Sequence, residues 1–472
     1  MAMLGKRRPA RPASGKSGLA RQDKKHTVSV VSDDSHLTIE RLAHDGRGVA
    51  HWPSGKAVFV DQALPGESVD VAVHCTRKRF DEAHVRKVLT PSPQRVTPPC
   101  AHFGQCGGCD LQHMALAAQR EHKRHVVAEL LARQGLEWSG DIGCLATDQT
   151  GYRRRARLGV NLDRDGHVLM GFRAQRSHRL VDIHHCHVLV PSLQALLTPL
   201  RTLLNSLDAP RDVGHIELLA TPEQCVVVVR QLTPRPVDEQ RWQAFAREHQ
   251  VALGMLVGRE KSTTQGVQMH WHDAEPALVD PVTLSKKGTL KLSFAVGDFI
   301  QVNAEVNQLM VAQVIEWLAP VENQQILDLF AGIGNFSLPI AMSGANVHAV
   351  EGNSAMVARI AANARHHQLP VSGQQADLND ADSVADLFAT RQPDAVILDP
   401  PRHGAETICQ ALGKLIAQGK QRPRVAYISC DPATLARDTA HLVHGGYRIK
   451  QVAMADMFVH TAHMETVMLL EA

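Results

Sequence analysis

From about Val28 to Leu89, short β-favouring runs alternate with Gly and Pro turns, as in Val58-Phe59-Val60, Leu64-Pro65-Gly66-Glu67 and Val69 to Val73. Such spacing predicts a small all-β barrel. Pro91, Pro93, Pro98 and Pro99 mark a linker. Leu116, Val127, Leu130 and Leu131 then recur within a polar stretch from about Met114 to Arg133, which predicts a helix. Between about Tyr152 and Leu284, strand-like and helical segments mix without a repeat, and only a central α+β region is read there. After about Leu290 the pattern changes again. Gln325 to Phe330, Asn346 to Val350, Ala395 to Leu398 and Val425 to Ile428 are short apolar runs separated by helix-length segments. That alternation predicts a mainly parallel sheet with helices on both faces. Ligands of such folds gather at the carboxyl ends of the strands, and the chemically unusual residues fall there.

The fold class that follows is multidomain. A basic arm at 1–27 precedes a β-barrel over 28–90, a central α+β region over 91–288 and a C-terminal α/β, Rossmann-like domain over 289–472. A chain of 472 residues has outgrown a single hydrophobic core. Its 44% hydrophobic and 21% charged residues exclude a fibrous or wholly disordered chain. The net charge of +3 is too small to name a partner, but its distribution is informative. Lys6, Arg7, Arg8, Arg11, Lys16, Arg21, Lys24 and Lys25 face a single Asp23, which predicts a disordered basic arm. No signal-peptide-like segment and no run of about 18 apolar residues occurs. A cytoplasmic protein without a membrane partner is expected, and no obligate protein partner is read. Nine cysteines in a reducing compartment point to metal or catalysis rather than disulfides.

Leu327-Asp328-Leu329-Phe330-Ala331-Gly332-Ile333-Gly334-Asn335-Phe336 reads as a strand, a glycine turn and a helix start, where backbone and N–H donors can approach a ligand closely. Glu351 closes the next strand, where a carboxylate can accept hydrogen bonds from both hydroxyls of a ribose. Asp377, at the end of the third strand, could reach an adenine amino group. The turn is similar to motif I of class I methyltransferases, which implies S-adenosylmethionine as ligand. It lacks the third glycine of a dinucleotide site.

Three further segments bear on the reaction: Asp399-Pro400-Pro401-Arg402, Ser429-Cys430-Asp431-Pro432, and His460-Thr461-Ala462-His463-Met464-Glu465 before the closing apolar strand. Taken singly, a cysteine after a strand is an ordinary small core residue. Together with Tyr427-Ile428-Ser429-Cys430-Asp431-Pro432-Ala433-Thr434-Leu435-Ala436-Arg437-Asp438 and Asp456-Met457-Phe458, they resemble the RNA 5-methyluridine methyltransferase family over nearly the whole chain. The resemblance implies Cys430 as nucleophile and Glu465 as base. It puts Gln301, Phe330, Asn335, Glu351 and Asp377 around the cofactor and Asp399 at the junction of cofactor and uracil ring. The chemistry agrees, because carbon 5 of uracil needs a thiolate on carbon 6 before it can take a methyl group, and a base must then remove its proton. A free thiol has a pKa near 8.5, so the helix expected to begin near Thr434 is a candidate for assisting ionisation. Rival readings are N-methylation at Asp399-Pro400-Pro401, where Arg402 stands in place of an aromatic residue, a cytosine-5 enzyme, and a non-catalytic RNA-binding protein.

Cys100, Cys106 and Cys109, flanked by Gly104, Gly107 and Gly108, form a metal-like cluster, with Cys186 as fourth ligand or His102, His184 or His185 in its place. Spacing alone leaves zinc and an iron–sulfur cluster open. The barrel, with Gly46-Arg47-Gly48-Val49 and Ala63-Leu64-Pro65-Gly66-Glu67, resembles a TRAM domain. Within the family, that architecture with this cysteine spacing implies a [4Fe–4S] cluster and 23S ribosomal RNA as substrate, in preference to transfer RNA. Arg77, Lys78, Arg79, Arg86 and Lys87 on the barrel are expected to face phosphates, as is a track of Arg153, Arg154, Arg155, Arg157, Arg173, Arg176 and Arg179.

Overall fold

The computed structural model describes residues 36–258, 269–284, 287–419 and 422–472. The basic arm expected at 1–27, and the first residues of the expected barrel, lie outside them.

Six strands make the first sheet: β1 (His36–Thr38), β2 (Arg41–Leu42), β3 (Gly48–His51), β4 (Ala57–Asp61), β5 (Ser68–Thr76) and β6 (Phe80–Thr90). Their order is β1-β5-β6-β4-β3-β2. Because β1 and β2 are nearly continuous, one kinked strand serves both edges and closes the sheet on itself. Val58 and Val60 alternate inward with Val69 and Val71 to fill the interior, which is the period-2 pattern of the sequence. The turn between β5 and β6 presents Arg77, Lys78 and Arg79 to solvent, and Arg86 and Lys87 are exposed on β6.

Helix α1 (Leu116–Arg133) and the short strand β7 (Gly143–Leu145) follow. Then come β8 (Arg155–Leu162), β9 (Val168–Arg173), β10 (Leu180–Asp182), α2 (Pro191–Ala195), α3 (Leu197–Ser206), β11 (Val213–Ala220), β12 (Cys225–Gln231), α4 (Pro236–His249), β13 (Val251–Val257) and β14 (Met269–Trp271). The region that showed no clear pattern is thus built around one seven-stranded sheet, ordered β10-β9-β8-β11-β12-β13-β14, with α2, α3 and α4 between its strands. It mixes pairings, since β12 and β13 are parallel while their neighbours are antiparallel, which is why the sequence offered no single period there.

The hairpin β15 (Leu278–Leu284) and β16 (Gly288–Phe294) leads to α5 (Ala304–Leu318), then β17 (Gln325–Leu329), α6 (Ser337–Ala341), β18 (Asn346–Glu351), α7 (Ser354–His367), β19 (Val371–Gln375), α8 (Ala381–Arg391), β20 (Ala395–Leu398), α9 (Glu406–Ala417), β21 (Arg424–Ser429), α10 (Pro432–His444), β22 (Arg448–Ala455) and β23 (Glu465–Glu471). The strands join in the order β19-β18-β17-β20-β21-β23-β22-β7. All pairings from β19 to β21 are parallel, and β23 inserts antiparallel between β21 and β22.

Alternation sorts the strand residues into two cores. Leu327, Val396, Val425 and Met468 pack against α8, α9, α10 and α1, whereas Ile326, Ile397, Ala426 and Val467 pack against α5 and the β15–β16 hairpin. Two features were not expected from the sequence. The hairpin straddles residue 288 yet shares one core with α5, and α1 and β7 join the C-terminal sheet although they precede the central one. The switch in strand order between β17 and β20 opens a crevice at their carboxyl ends, as parallel sheets of this kind do.

Candidate active site

That crevice is a cavity of about 990 Å³. At one end is the glycine turn. Phe330 adopts φ +63° and Gly332 φ +57°, and a Cβ on Gly332 would meet nothing within 4 Å, leaving room for a ligand against the backbone. Gly334, at φ +93°, is needed for packing instead, since a Cβ there would lie 2.1 Å from Leu338 Cδ1. The helix that follows, α6, is only five residues long. The Gly332 amide donates to Glu351 Oε2 (3.1 Å) and the Asn353 amide to Oε1 (2.9 Å). The carboxylate is thereby fixed, with one lone pair left on each oxygen for further donors. Asp377 stands two residues beyond β19 and accepts from the amide and side chain of Asn379 (2.9 and 3.0 Å). Asn335 is locked in a reciprocal amide pair with Asn307, both bonds being 2.9 Å.

The cavity brings together Gln301, Phe330, Asn335, Glu351, Asp377, Asp399, Cys430 and Glu465, all eight residues singled out for cofactor and chemistry. Strand pairing explains how the last two meet. The ladder between β21 and β23 ends at Ser429 opposite Thr466, so the next positions out are Cys430 and Glu465, on the sheet face that also carries Ile428 and Val467. Directly opposed residues of an antiparallel pair share a face and lie close.

Electrostatics in the cavity run against charge. Burial pushes the Cys430 thiol up to about 11, with Glu465 and Asp399 adding to the rise and Arg402 opposing it. Glu465, 4% exposed, is raised well above the carboxylate range by burial and by Asp399, again opposed by Arg402. Asp399 is raised to about 7 by burial and by Asp328, and Asp328 to about 7 chiefly by burial. Helix α10 begins at Pro432 with Asp431 as its cap, accepting from Ala433 (2.9 Å) and Thr434 (3.2 Å). The helix was expected to favour a thiolate. In the free protein, burial and the two carboxylates raise the thiol instead.

Sequence reasoning missed several supports. Asp438 accepts from the Tyr427 hydroxyl (2.6 Å) and the Ala405 amide (2.6 Å), tying the loop after Asp399-Pro400-Pro401-Arg402 to α10. Arg154, read as part of an RNA track, faces inward instead. It holds Asp280 through two bonds of 2.5 and 2.7 Å and donates to the Gln301 carbonyl (2.8 Å), because strand alternation turns it to the opposite side from Arg153 and Arg155. Nothing local in the sequence marks Asp280 as its partner. Phe458 and His463 also line the cavity.

Cys100, Cys106, Cys109 and Cys186 converge outside this cavity, near enough that each of Cys106, Cys109 and Cys186 feels the charge of others in the set. Backbone amides of Gly108, Val188 and Leu189 and the Gln112 side chain donate to these sulfurs. Burial pushes Cys109 up to about 12, with the neighbouring thiols adding to it. His184 is turned toward Asp182 (3.2 Å).

The family model for tRNA (uracil-5-)-methyltransferases matches residues 115–370 and 385–472. The chain belongs to this uracil-5-methyltransferase family. A TRAM-domain model matches residues 36–85 within the barrel. Among family relatives, the 23S rRNA (uracil(1939)-C(5))-methyltransferase RlmD of Halomonas elongata is 52% identical, covering 100% of this chain and 97% of its own. That of Chromohalobacter salexigens is also 52% identical, over 100% and 96%. A solved structure, the Pyrococcus abyssi tRNA (uracil-54, C5)-methyltransferase with S-adenosyl-L-homocysteine, superposes with a TM-score of 0.69 at 24% identity, covering 92% of this chain and 100% of that one. The shared fold is thus that of class I methyltransferases.

Proposed function

We propose that this uracil-5-methyltransferase methylates carbon 5 of a uridine in 23S ribosomal RNA, with Cys430 as nucleophile and Glu465 as base. The substrate rests on the 52% identity to the ribosomal enzymes over essentially whole chains, and such a substrate implies work in the cytoplasm. The roles rest above all on one observation: the β21–β23 register turns Cys430 and Glu465 toward the same cavity that the glycine turn opens into.

S-adenosylmethionine would supply an electrophilic methyl group. The open side of Gly332, the fixed Glu351 carboxylate and Asp377 suit its ribose and adenine, with Phe330 and Gln301 enclosing it. Once its S–H proton has been lost, the Cys430 thiolate forms a bond from Sγ to carbon 6 of the uracil, and the displaced electron pair makes carbon 5 nucleophilic enough to take the methyl. Glu465 then removes the carbon 5 proton, the double bond re-forms, and the C6–S bond breaks to return the sulfur to Cys430. Glu465 must be ionised to accept that proton, and burial, which raises its pKa, makes the ionised form a stronger base. Asp399, which lines the same cavity, would lie at the junction of cofactor and uracil ring. To enter, the uridine must leave its stack, and the exposed cations of the barrel suit the flanking phosphates.

Cys100, Cys106, Cys109 and Cys186 would hold a [4Fe–4S] cluster with a structural and RNA-docking role. The amides directed at the sulfurs favour thiolate ligands. Among the described residues these sulfurs do not gather three at a time within 4.8 Å of one another. A single tetrahedral zinc, with bonds of about 2.3 Å, would hold them roughly 3.8 Å apart. Cys106→Ala should lower folding yield or RNA affinity while S-adenosylmethionine binding persists. Full activity and unchanged folding without bound iron would overturn this role.

RNA carrying 5-fluorouridine should form a denaturation-resistant adduct with the protein and S-adenosylmethionine, since fluorine on carbon 5 cannot leave as a proton. Cys430→Ala should abolish it, and an adduct independent of Cys430 would remove the nucleophile assignment. Methyl transfer to undermodified transfer RNA but not to 23S RNA would overturn the substrate.

A further inference from the structure

The connection from β22 to β23, residues 456–464, delivers Glu465 to the cavity, yet much of its hold comes from the other end of the chain. His460 adopts φ +68°, a left-handed conformation that a non-glycine residue keeps only where its surroundings over-determine it. Here they do. The His460 carbonyl accepts the amides of both Asp110 and Leu111, each at 2.9 Å. Its amide donates to Gln119 Oε1 (3.2 Å). Gln119, 1% exposed, gives its own amide hydrogens to the carbonyls of Leu111 (2.9 Å) and Met114 (2.7 Å). Its nitrogen also lies 3.2 Å from His460 Nδ1. Further fixings flank this knot: Tyr152 Oη donates to the Val459 carbonyl (3.2 Å) and Lys123 Nζ to that of Phe458 (3.0 Å). Neither Gln119 nor His460 lines the cavity.

We propose that Gln119, through the strained His460 it grips, is a positioning residue for proton abstraction, seating the loop that presents Glu465 on the segment just after Cys109. The inference rests on Glu465 being the base. Cys430 comes from the link between β21 and α10, and the glycine turn follows β17, so neither is carried by this loop, although its Phe458 and His463 line the same cavity. Loosening the knot should therefore spare formation of the C6–S bond and methyl transfer. What slows is breaking of the C5–H bond, with its proton passing to Glu465, and hence the return of the sulfur.

The test compares full-length, iron-loaded wild type with Glu465→Gln and Gln119→Leu on a 23S RNA fragment containing natural uridine, with S-adenosylmethionine in single-turnover format. The covalent adduct is followed on denaturing gels. Glu465→Gln should accumulate methylated adduct. If it does not, the base assignment itself falls. Given that accumulation, Gln119→Leu should form adduct no more slowly than wild type, show a KM for S-adenosylmethionine within about twofold of wild type, and resolve the adduct about tenfold to a hundredfold more slowly, the upper figure being what a misplacement of roughly 1 Å can cost. Wild-type resolution, or slowed adduct formation instead, would overturn the inference. Should Gln119→Leu not fold, His460→Gly and His460→Val decide the matter. Glycine takes a positive φ freely and a β-branched residue does not, so the Gly variant should resolve adduct faster than the Val variant. Equal resolution by the two would overturn the inference.

Discussion

Cys430 is a poor nucleophile as the free protein holds it. With burial, Glu465 and Asp399 pushing its thiol to about 11, the thiolate fraction at neutral pH is small and grows about tenfold per pH unit. The rate of adduct formation with 5-fluorouridine RNA should therefore climb between pH 7 and 9 without levelling near 8.5, as stopped-flow or rapid-quench gels can read. Arg402→Leu should depress that rate across the range, because Arg402 opposes the rise. Asp399 gives a prediction of opposite kind. Its folded-state pKa, about 7, is raised from 3.8, so the native state binds the proton more tightly than the unfolded chain. The resulting stability is fully present below about pH 4 and is lost as pH rises through 7. Asp399→Asn should raise Tm at pH 8, leave it unchanged at pH 4, and abolish methylation. Cys430 and Asp399 were legible because each follows directly on an apolar strand, and Glu465 because it opens one, all three within distinctive runs of residues. Gln119, His460 and Asp280 were not, since what distinguishes them is a partner far away in sequence or a backbone angle.

Strands β17, β18, β20 and β21 were readable to within a residue, because burial makes them mainly apolar runs between glycine, proline and polar breaks, interrupted only by Asp328 in β17 and His348 in β18. The helix start after the glycine turn was readable too, but not that α6 stops after five residues. Asp431 was visible as part of a motif, whereas its capping bonds to Ala433 and Thr434 appear only in the fold. Asp431→Ala removes them and should destabilise α10 by about 1 kcal/mol, measurable by urea denaturation. A larger loss is expected of Gly334→Ala, where both the left-handed φ and the 2.1 Å approach to Leu338 forbid a methyl group. Calorimetric titration should find S-adenosylmethionine binding weakened at least tenfold, as the displaced turn carries Gly332 with it.

At the scale of the molecule, linear order and spatial order diverge. Helix α1 and β7 come before the central sheet in sequence but pack on the C-terminal one. Buried Lys123 bonds Asp456 (2.7 Å), and Arg120 Nε reaches the other oxygen of that carboxylate (3.1 Å). Periodicity could announce α1 as a helix but not which core it serves, since that choice lies in contacts more than 300 residues apart in the chain. Removing one partner of a buried ion pair typically costs about 3–5 kcal/mol. Lys123→Met should fall at the lower end because Arg120 remains, and Lys123→Met with Asp456→Leu should recover part of the loss in the same urea titration.

The five-pair ladder between β21 and β23 also sets where this protein can tolerate changes of length. A codon inserted in the Gly445–Gly446 turn lengthens a connection and leaves the pairing as it is. The same codon inserted early in β23 moves the carboxylate to the other side of the sheet, among the apolar side chains beneath α9 and α10, so the protein would lose its proposed base while keeping every residue of its motifs.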